Sequence, residues 1–376
     1  MLVTIGTVMI YSSSSIMAME RFDDGYHFLK KQVVFVLLGI LLMIAVSRLP
    51  YYHLRKVAYL GVFLSVILLS LLMVPGFGVK VGGATRWLRI GGLTFQVTEL
   101  VKVAMVIFLA HFFTKKAERV REFRVFLVPL IVTTVMVGFI LLQPDFGTSV
   151  VIVVVMMFMF FVAGCRFLYM SGVVAVCIPA CIALVVHKSY RLERFLSFIN
   201  PWDDPTNSGF QIIQSFISFG SGGAFGVGIG NSMQKLFYLP EPHTDFILSV
   251  IAEEGGFIMV TAVIVLFTLL IVRGLMVSMK SEELFGTLLA GGLSIVIALE
   301  AIINMACVMG LIPTKGLALP FVSYGGTSLI MSMIAIGILL NVSSHLQTIG
   351  EDTKRKDGRG AAPELSGRTR NQRENA

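Results

Sequence analysis

The residues able to do chemistry in this chain are acids and bases set among apolar neighbours. The segment Leu239-Pro240-Glu241-Pro242-His243-Thr244-Asp245-Phe246 brings a carboxylate, Asp245, to the start of a long apolar run, and Glu253 and Glu254 follow two turns into that run. Asp245 suits an N-cap, whose oxygen accepts from the first free amides of a helix. It equally suits a general base, because Arg86, Arg89 and Lys235 lie in segments expected on the same face of the membrane. Cations, apolar walls and an acid together form a site that binds a phosphorylated lipid and takes a proton from an attacking hydroxyl. Glu99 and Lys102, at i and i+3 in another apolar run, share a helical face and can pair. A charge inside a bilayer costs at least about 2.5–3.5 kcal/mol, so the pair needs a reason. One reason is a structural ion pair that orients helices; the other is a polar cavity that holds an anionic headgroup.

Five further patterns have blander readings. Glu300 and Asn304, at i and i+4, form a second polar stripe suited to interhelical hydrogen bonds, while Gln143 and Asp145 mark a tight turn. His111 and His187 sit at the ends of apolar runs, at the interface. The glycine-rich stretch from Gly220 to Gly230 looks like a phosphate loop but lacks the spacing of a dinucleotide or Walker motif. Cys165, Cys177, Cys181 and Cys307 show no CxxC or Cys/His metal spacing and read as small packing residues.

Helices in lipid must position these groups. The 376 residues are 56% hydrophobic and 14% charged, and the mean hydropathy is +0.86. That excludes an ordinary soluble domain. A span needs roughly 20 mostly apolar residues. Such runs fall near 1–18, 31–49, 58–75, 97–114, 126–142, 148–164, 171–187, 246–272, 287–312 and 323–342, which gives an all-α polytopic membrane protein of about ten helices. The first run starts abruptly and is short for a span, so a few residues are expected upstream. Residues 1–342 form the membrane domain, with a long outer segment near 76–96 and a large extracytoplasmic loop at about 188–245, between the seventh and eighth spans. Residues 343–376 read as a polar tail, disordered or docking. With the N-terminus cytoplasmic, eighteen basic residues fall inside and eleven outside. The positive-inside rule favours that orientation, with both termini in the cytoplasm. The net charge of +8 lies in loops and tail, so topology explains it and nucleic acid is not implied.

Longer motifs then resemble a known family. Asn200-Pro201-Trp202-Asp203-Asp204-Pro205, Gly209-Phe210-Gln211 with Gln214-Ser215, Gly228-Ile229-Gly230-Asn231-Ser232, the stretch from Pro240 to Glu254, and Gly310 to Ser328 are similar to the SEDS family. The resemblance spans about residues 5–342 and favours the division members over the elongation members. It implies a peptidoglycan glycosyltransferase of the bacterial cytoplasmic membrane, acting at the division septum. Such an enzyme polymerises lipid II on the outer face, beside a class B penicillin-binding protein and other divisome membrane proteins. The family's essential acid falls on Asp245, and its fourth-helix acid and lysine fall on Glu99 and Lys102. Arg86, His243, Glu254 and Lys315 complete the expected substrate-binding set. Val97 stands where the family often has proline, and Thr94 where some members have arginine. In the implied reaction Asp245 deprotonates a sugar hydroxyl, which displaces undecaprenyl pyrophosphate with inversion. Lys102, Arg86 and a divalent cation, Mg or Mn, are candidates to neutralise the leaving group, although no metal cage is evident. A lipid II flippase and a non-enzymatic division scaffold are the competing readings. The gathering of suspicious charges near the outer surface favours the enzyme.

Overall fold

The computed structural model describes residues 1–81, 84–90, 93–187, 189–207, 209–234 and 243–360; the expected cation Lys235 lies outside them. Hydrocarbon offers no water to hydrogen-bond a free peptide group, so spanning segments must close their own hydrogen bonds as helices. Ten helices among the described residues are long and apolar enough to cross a membrane. They are α1 (Leu2–Phe22), α2 (His27–Arg48), α3 (Leu54–Leu71), α4 (Val97–Lys115), α5 (Phe123–Leu142), α6 (Phe146–Ala163), α7 (Phe167–Val186), α10 (Ile247–Lys280), α11 (Leu284–Val308) and α12 (Gly326–Gly360). Two short amphipathic helices, α8 (Ser189–Ile199) and α9 (Phe210–Gly222), lie in the large loop between α7 and α10.

The spans agree with the apolar runs, but their ends move outward. Helical hydrogen bonding in α1 continues to Phe22, and in α12 the backbone stays helical to Gly360, through residues that read from sequence as a polar tail, disordered or docking. Hydropathy marks the hydrocarbon, whereas the helix itself continues into polar surroundings. At the centre of the bundle, α4 and α11 are buried on most sides, while α7 buries only Met170.

The expectation of an all-helical chain needs one correction. Strands β1 (Gly78–Val81), β2 (Ala84–Ile90) and β3 (Leu93–Gln96) form an antiparallel meander in the first long loop. Cross-strand partners include Trp87 with Gln96 and Arg89 with Thr94. The signal was present as two Gly-Gly pairs, Gly82-Gly83 and Gly91-Gly92, flanking a short β-rich run. The sheet is tied to the bundle by Thr327, whose hydroxyl accepts from the Gln96 amide at 3.2 Å and donates to Thr94 O at 3.4 Å.

The glycine-rich stretch is structural. Helix α10 breaks at Gly256, whose φ of 65° and ψ of −167° are open to glycine alone. A broken helix in a membrane leaves peptide groups unpaired unless other backbone reaches them. Here Val227 N donates to Glu253 O at 2.9 Å and Gly228 N to Glu254 O at 3.1 Å, while Phe257 N donates to Gly223 O at 2.9 Å. The glycines let this loop fill the break: a Cβ on Gly256 would stand 2.6 Å from Ala224 O. Gly256→Ala is expected to destabilise the protein by about 1–3 kcal/mol, from backbone strain plus the clash, read as a lower thermal unfolding midpoint in detergent.

Candidate active site

At the end of the bundle that carries the sheet, a cavity of about 430 Å³ opens between β2, β3, α4, α11 and the segments preceding α10 and α12. That size lies within the range of small-molecule sites. Its wall includes Asp245, Arg86, Lys315, Glu99 and Glu300. Half-buried Asp245 lies two residues before α10 begins, so the first turn of the broken helix aims it at the cavity. Gly316 faces it: a Cβ there would start 2.9 Å from Asp245 Oδ2 and 3.8 Å from Arg86 Nη1. The absence of a side chain at Gly316 therefore lets the carboxylate and the guanidinium share one opening.

Arg86 is held by the turn between α5 and α6. Its Nε lies 3.4 Å from Asp145 Oδ2 and its Nη2 donates to Pro144 O at 3.2 Å. Asp145 caps α6, accepting from Thr148 N at 3.1 Å, so the same buried carboxylate starts a helix and orients a cavity cation. The Lys315 ammonium sits 4.6 Å from the centroid of the Phe146 ring. Burial lowers its pKa, opposed by Cys307, Cys181 and Asp145 nearby. A partly desolvated ammonium interacts more strongly with an incoming anion than one in bulk water.

Beneath the cavity, the Lys102 ammonium donates to Glu99 Oε1 at 2.8 Å and also to Glu300 Oε1. Lys102 is 3% exposed, Glu99 8% and Glu300 4%. The two acids reach the cavity wall and the lysine lies behind them. Glu99 and Lys102 therefore pair as their spacing required, and Glu300, read from sequence as an interhelical hydrogen-bonding residue, supplies the third charge.

Two further spaces continue from the first, one after the other. Across the 314–317 segment lies a cavity of about 410 Å³ with Arg86, Arg191, Arg194 and Lys315 in its wall. Phe146 and Val150 are shared between it and an apolar groove of about 760 Å³ formed by α5, α6 and α7. Cations next to a long apolar trough match the two halves of a lipid phosphate.

The comparisons with known proteins agree with this architecture. Residues 1–348 match the family described as Cell cycle protein, which groups FtsW, RodA and SpoVE. The chain belongs to this FtsW/RodA/SpoVE family. It is 46% identical to the probable peptidoglycan glycosyltransferase FtsW of Trichlorobacter lovleyi, over 94% of each chain. Stage V sporulation protein E of Bacillus subtilis is 40% identical, over 92% of this chain and 94% of the relative. Among solved structures, a chain from a peptidoglycan synthase complex, described for its structural coordination of polymerization and crosslinking, has a TM-score of 0.74 at 30% identity, covering 92% of this chain and 96% of that one. Rod shape determining protein RodA of Thermus thermophilus gives 0.65 at 28% identity, covering 91% and 92%.

Within the family fold, some expected site residues stand elsewhere. His243 does not line the cavity. It is buried between the rings of Phe28 and Tyr324, 4.7 and 5.5 Å away, and burial pushes its pKa down to about 4, so it is neutral at pH 7. Glu254 is also outside the cavity: its carboxylate accepts from Ser12 Oγ at 2.6 Å and from Ser232 N at 3.4 Å, tying α1 to the glycine-rich loop. Glu253 likewise accepts from Ser232 Oγ and Met233 N. Arg89 is exposed and points away from the cavity wall. Lys102 is enclosed by its two acids instead of facing substrate. Among the described residues no three His, Cys, Asp or Glu side chains converge as metal ligands. Glu99 and Glu300 are already committed to Lys102, so this donor set does not fit a protein-held Mg or Mn. Sequence reading missed Trp87, Gln96, Arg194 and Gln211, which line the cavity from the sheet, α8 and α9. The motif Gly209-Phe210-Gln211 and the amphipathic pattern of α8 were the signals that pointed toward two of them, Gln211 and Arg194.

The charge count predicts an asymmetry. Lys102→Met strands two buried carboxylates and should cost about 3–5 kcal/mol, whereas Glu300→Gln leaves Lys102 paired with Glu99 and should cost far less. Thermal unfolding of the two variants in one detergent compares them directly; equal losses would contradict the shared-ammonium arrangement. Gly316→Ala should leave the unfolding midpoint unchanged, because Gly316 is exposed. It should displace the Asp245 carboxylate and reduce lipid II polymerisation by roughly tenfold or more, measured by gel analysis of labelled product.

Proposed function

We propose that the chain is a peptidoglycan glycosyltransferase that polymerises lipid II into glycan strands, with Asp245 as general base. The observation that carries this reading is the Asp245 carboxylate, set beside Gly316 and facing Arg86 in a cavity that adjoins a cationic pocket, which in turn shares its wall with an apolar groove. In the reaction Asp245 takes the proton of the acceptor's sugar hydroxyl while its oxygen forms a bond to the anomeric carbon of the growing chain. The bond from that carbon to undecaprenyl pyrophosphate breaks, and the leaving group departs with the electron pair. Attack opposite the leaving group inverts the centre. A pyrophosphate needs charge neutralisation more than protonation, so one carboxylate suffices, unlike the pair used in glycoside hydrolysis. Arg86, Arg194 and Lys315 are placed to supply that neutralisation. Lys102 acts indirectly, holding the cavity floor.

Several observations support the setting. The relatives named FtsW match at 43–46% identity in the Geobacter and Trichlorobacter proteins, above the 27–28% of the RodA structures, which favours division over elongation. The likeness to a chain of a polymerising and crosslinking complex supports a crosslinking partner, which in this reading is a class B penicillin-binding protein; the septum and other divisome membrane proteins belong to the proposal. The bias of basic residues supports an orientation with the sheet end on the outer face of the cytoplasmic membrane and both termini inside. A flippase needs polar groups through the depth of the bilayer; here the buried charges and the cavity sit together at the sheet end.

Two experiments test the reading. A periplasm-active reporter fused after Ser221 should be active and one after Lys354 silent; the reverse would overturn the orientation. Asp245→Asn keeps size and capping ability but loses the basic oxygen, so polymerisation of purified lipid II should fall by about 10²–10⁴-fold while folding and partner binding persist. Glycan strands made by this variant at the wild-type rate would remove Asp245 from the mechanism.

A further inference from the structure

The acid segment is clamped through its backbone. Three consecutive carbonyls are each taken by a donor from α11 or from the segment leading into α12. His243 O accepts from Tyr324 N at 2.9 Å, Thr244 O from Ser323 Oγ at 2.6 Å, and Asp245 O from Asn304 Nδ2 at 2.8 Å. Asn304 makes a second bond with the same nitrogen, to Leu317 O at 2.6 Å. Both of its partners are carbonyl oxygens, which can only accept, so the amide nitrogen must be the group that faces them. The residue is 1% exposed and does not line the cavity.

These bonds differ from ordinary interhelical ones. They run from near the C-terminal end of α11 to two irregular segments, one carrying Asp245 and the other carrying Lys315 and Gly316. A single side-chain amide thus ties the acid to the wall that faces it. Glu300, one turn earlier on α11, reaches the cavity floor, so α11 sets the floor and the acid from one face.

We propose that Asn304 is a positioning residue for glycosyl transfer: by holding Asp245 O and Leu317 O together it sets the distance between the Asp245 carboxylate and the Lys315–Gly316 wall. The inference rests on the reading of Asp245 as the base. Asn304 touches neither substrate nor leaving group, and its effect passes through the acid. Ser323 assists from the neighbouring carbonyl, accepting from Leu319 N at 2.8 Å while it donates to Thr244 O.

The test is steady-state polymerisation of purified lipid II by the full-length chain with its crosslinking partner, alongside thermal unfolding. Asn304→Ala should lower kcat roughly 10- to 100-fold with KM within about twofold, because the substrate contacts remain while the base is displaced. Asn304→Ser, which keeps a short donor, should recover part of the rate, and Ser323→Ala should show a smaller loss confined to kcat. A wild-type kcat in folded Asn304→Ala, or a loss confined to KM, overturns the proposal. Should Asn304→Ala fail to fold, Ser323→Ala and Asn304→Ser decide it: kcat losses at unchanged KM support it, and wild-type kinetics in both overturn it. A normal rate in Asp245→Asn would instead overturn the assignment of the base, which separates that failure from a failure of Asn304.

Discussion

Helices α4 and α11 are held in register by one buried ammonium. Lys102, from the second turn of α4, is shared by Glu99 on its own helix and Glu300 on α11, and all three side chains are withdrawn from solvent. In surroundings of low polarity, removing one partner of such a set is far more costly than the set's net contribution to stability. The value of the arrangement lies in specificity of packing: α11 can cross α4 at one register only, the one that brings Glu300 to Lys102. The cavity floor follows from that register, and so does the position of Asn304 one turn further on.

A second constraint comes from the solvent. Lipid tolerates no open peptide group, yet a site at the membrane surface needs irregular backbone to aim its side chains. The chain meets both demands by breaking α10 at Gly256 and filling the break with its own glycine-rich loop. The short first half of α10 is thereby set off from the rest of the helix, with Asp245 just before its start. Glu253 and Glu254 anchor the far side of that half-helix to the loop and to α1. They are buried acids with a structural task, whereas Asp245, in the same few residues, lines the cavity. The difference lies in what each meets: backbone amides and hydroxyls for the glutamates, a cavity and cations for the aspartate.

The energetics of the site follow the same division. Arg86 is oriented by Asp145, a helix cap, and Lys315 by the Phe146 ring that follows the cap. One turn between α5 and α6 therefore organises two cations from distant segments. Both cations are thus oriented by groups outside the segment that carries Asp245.

Longer motifs carried the likeness to the family, while composition and local pattern were enough to show the ten spans and the pairing of Glu99 with Lys102. Those features are written in runs of about 20 residues or in i to i+3 spacing, and each can be read within one helix. His243 and Glu254 were misplaced because the motif that contains Asp245 says nothing about which side of a broken helix each residue faces. The sheet was missed because three short strands contribute little to hydropathy. The decisive contacts were beyond local reading: Lys102 meets Glu300 across 198 positions, and Asn304 meets Asp245 across 59. A buried polar group must find a partner somewhere, and the sequence shows that need; which partner it finds is set by how the helices cross, and that only the tertiary structure decided.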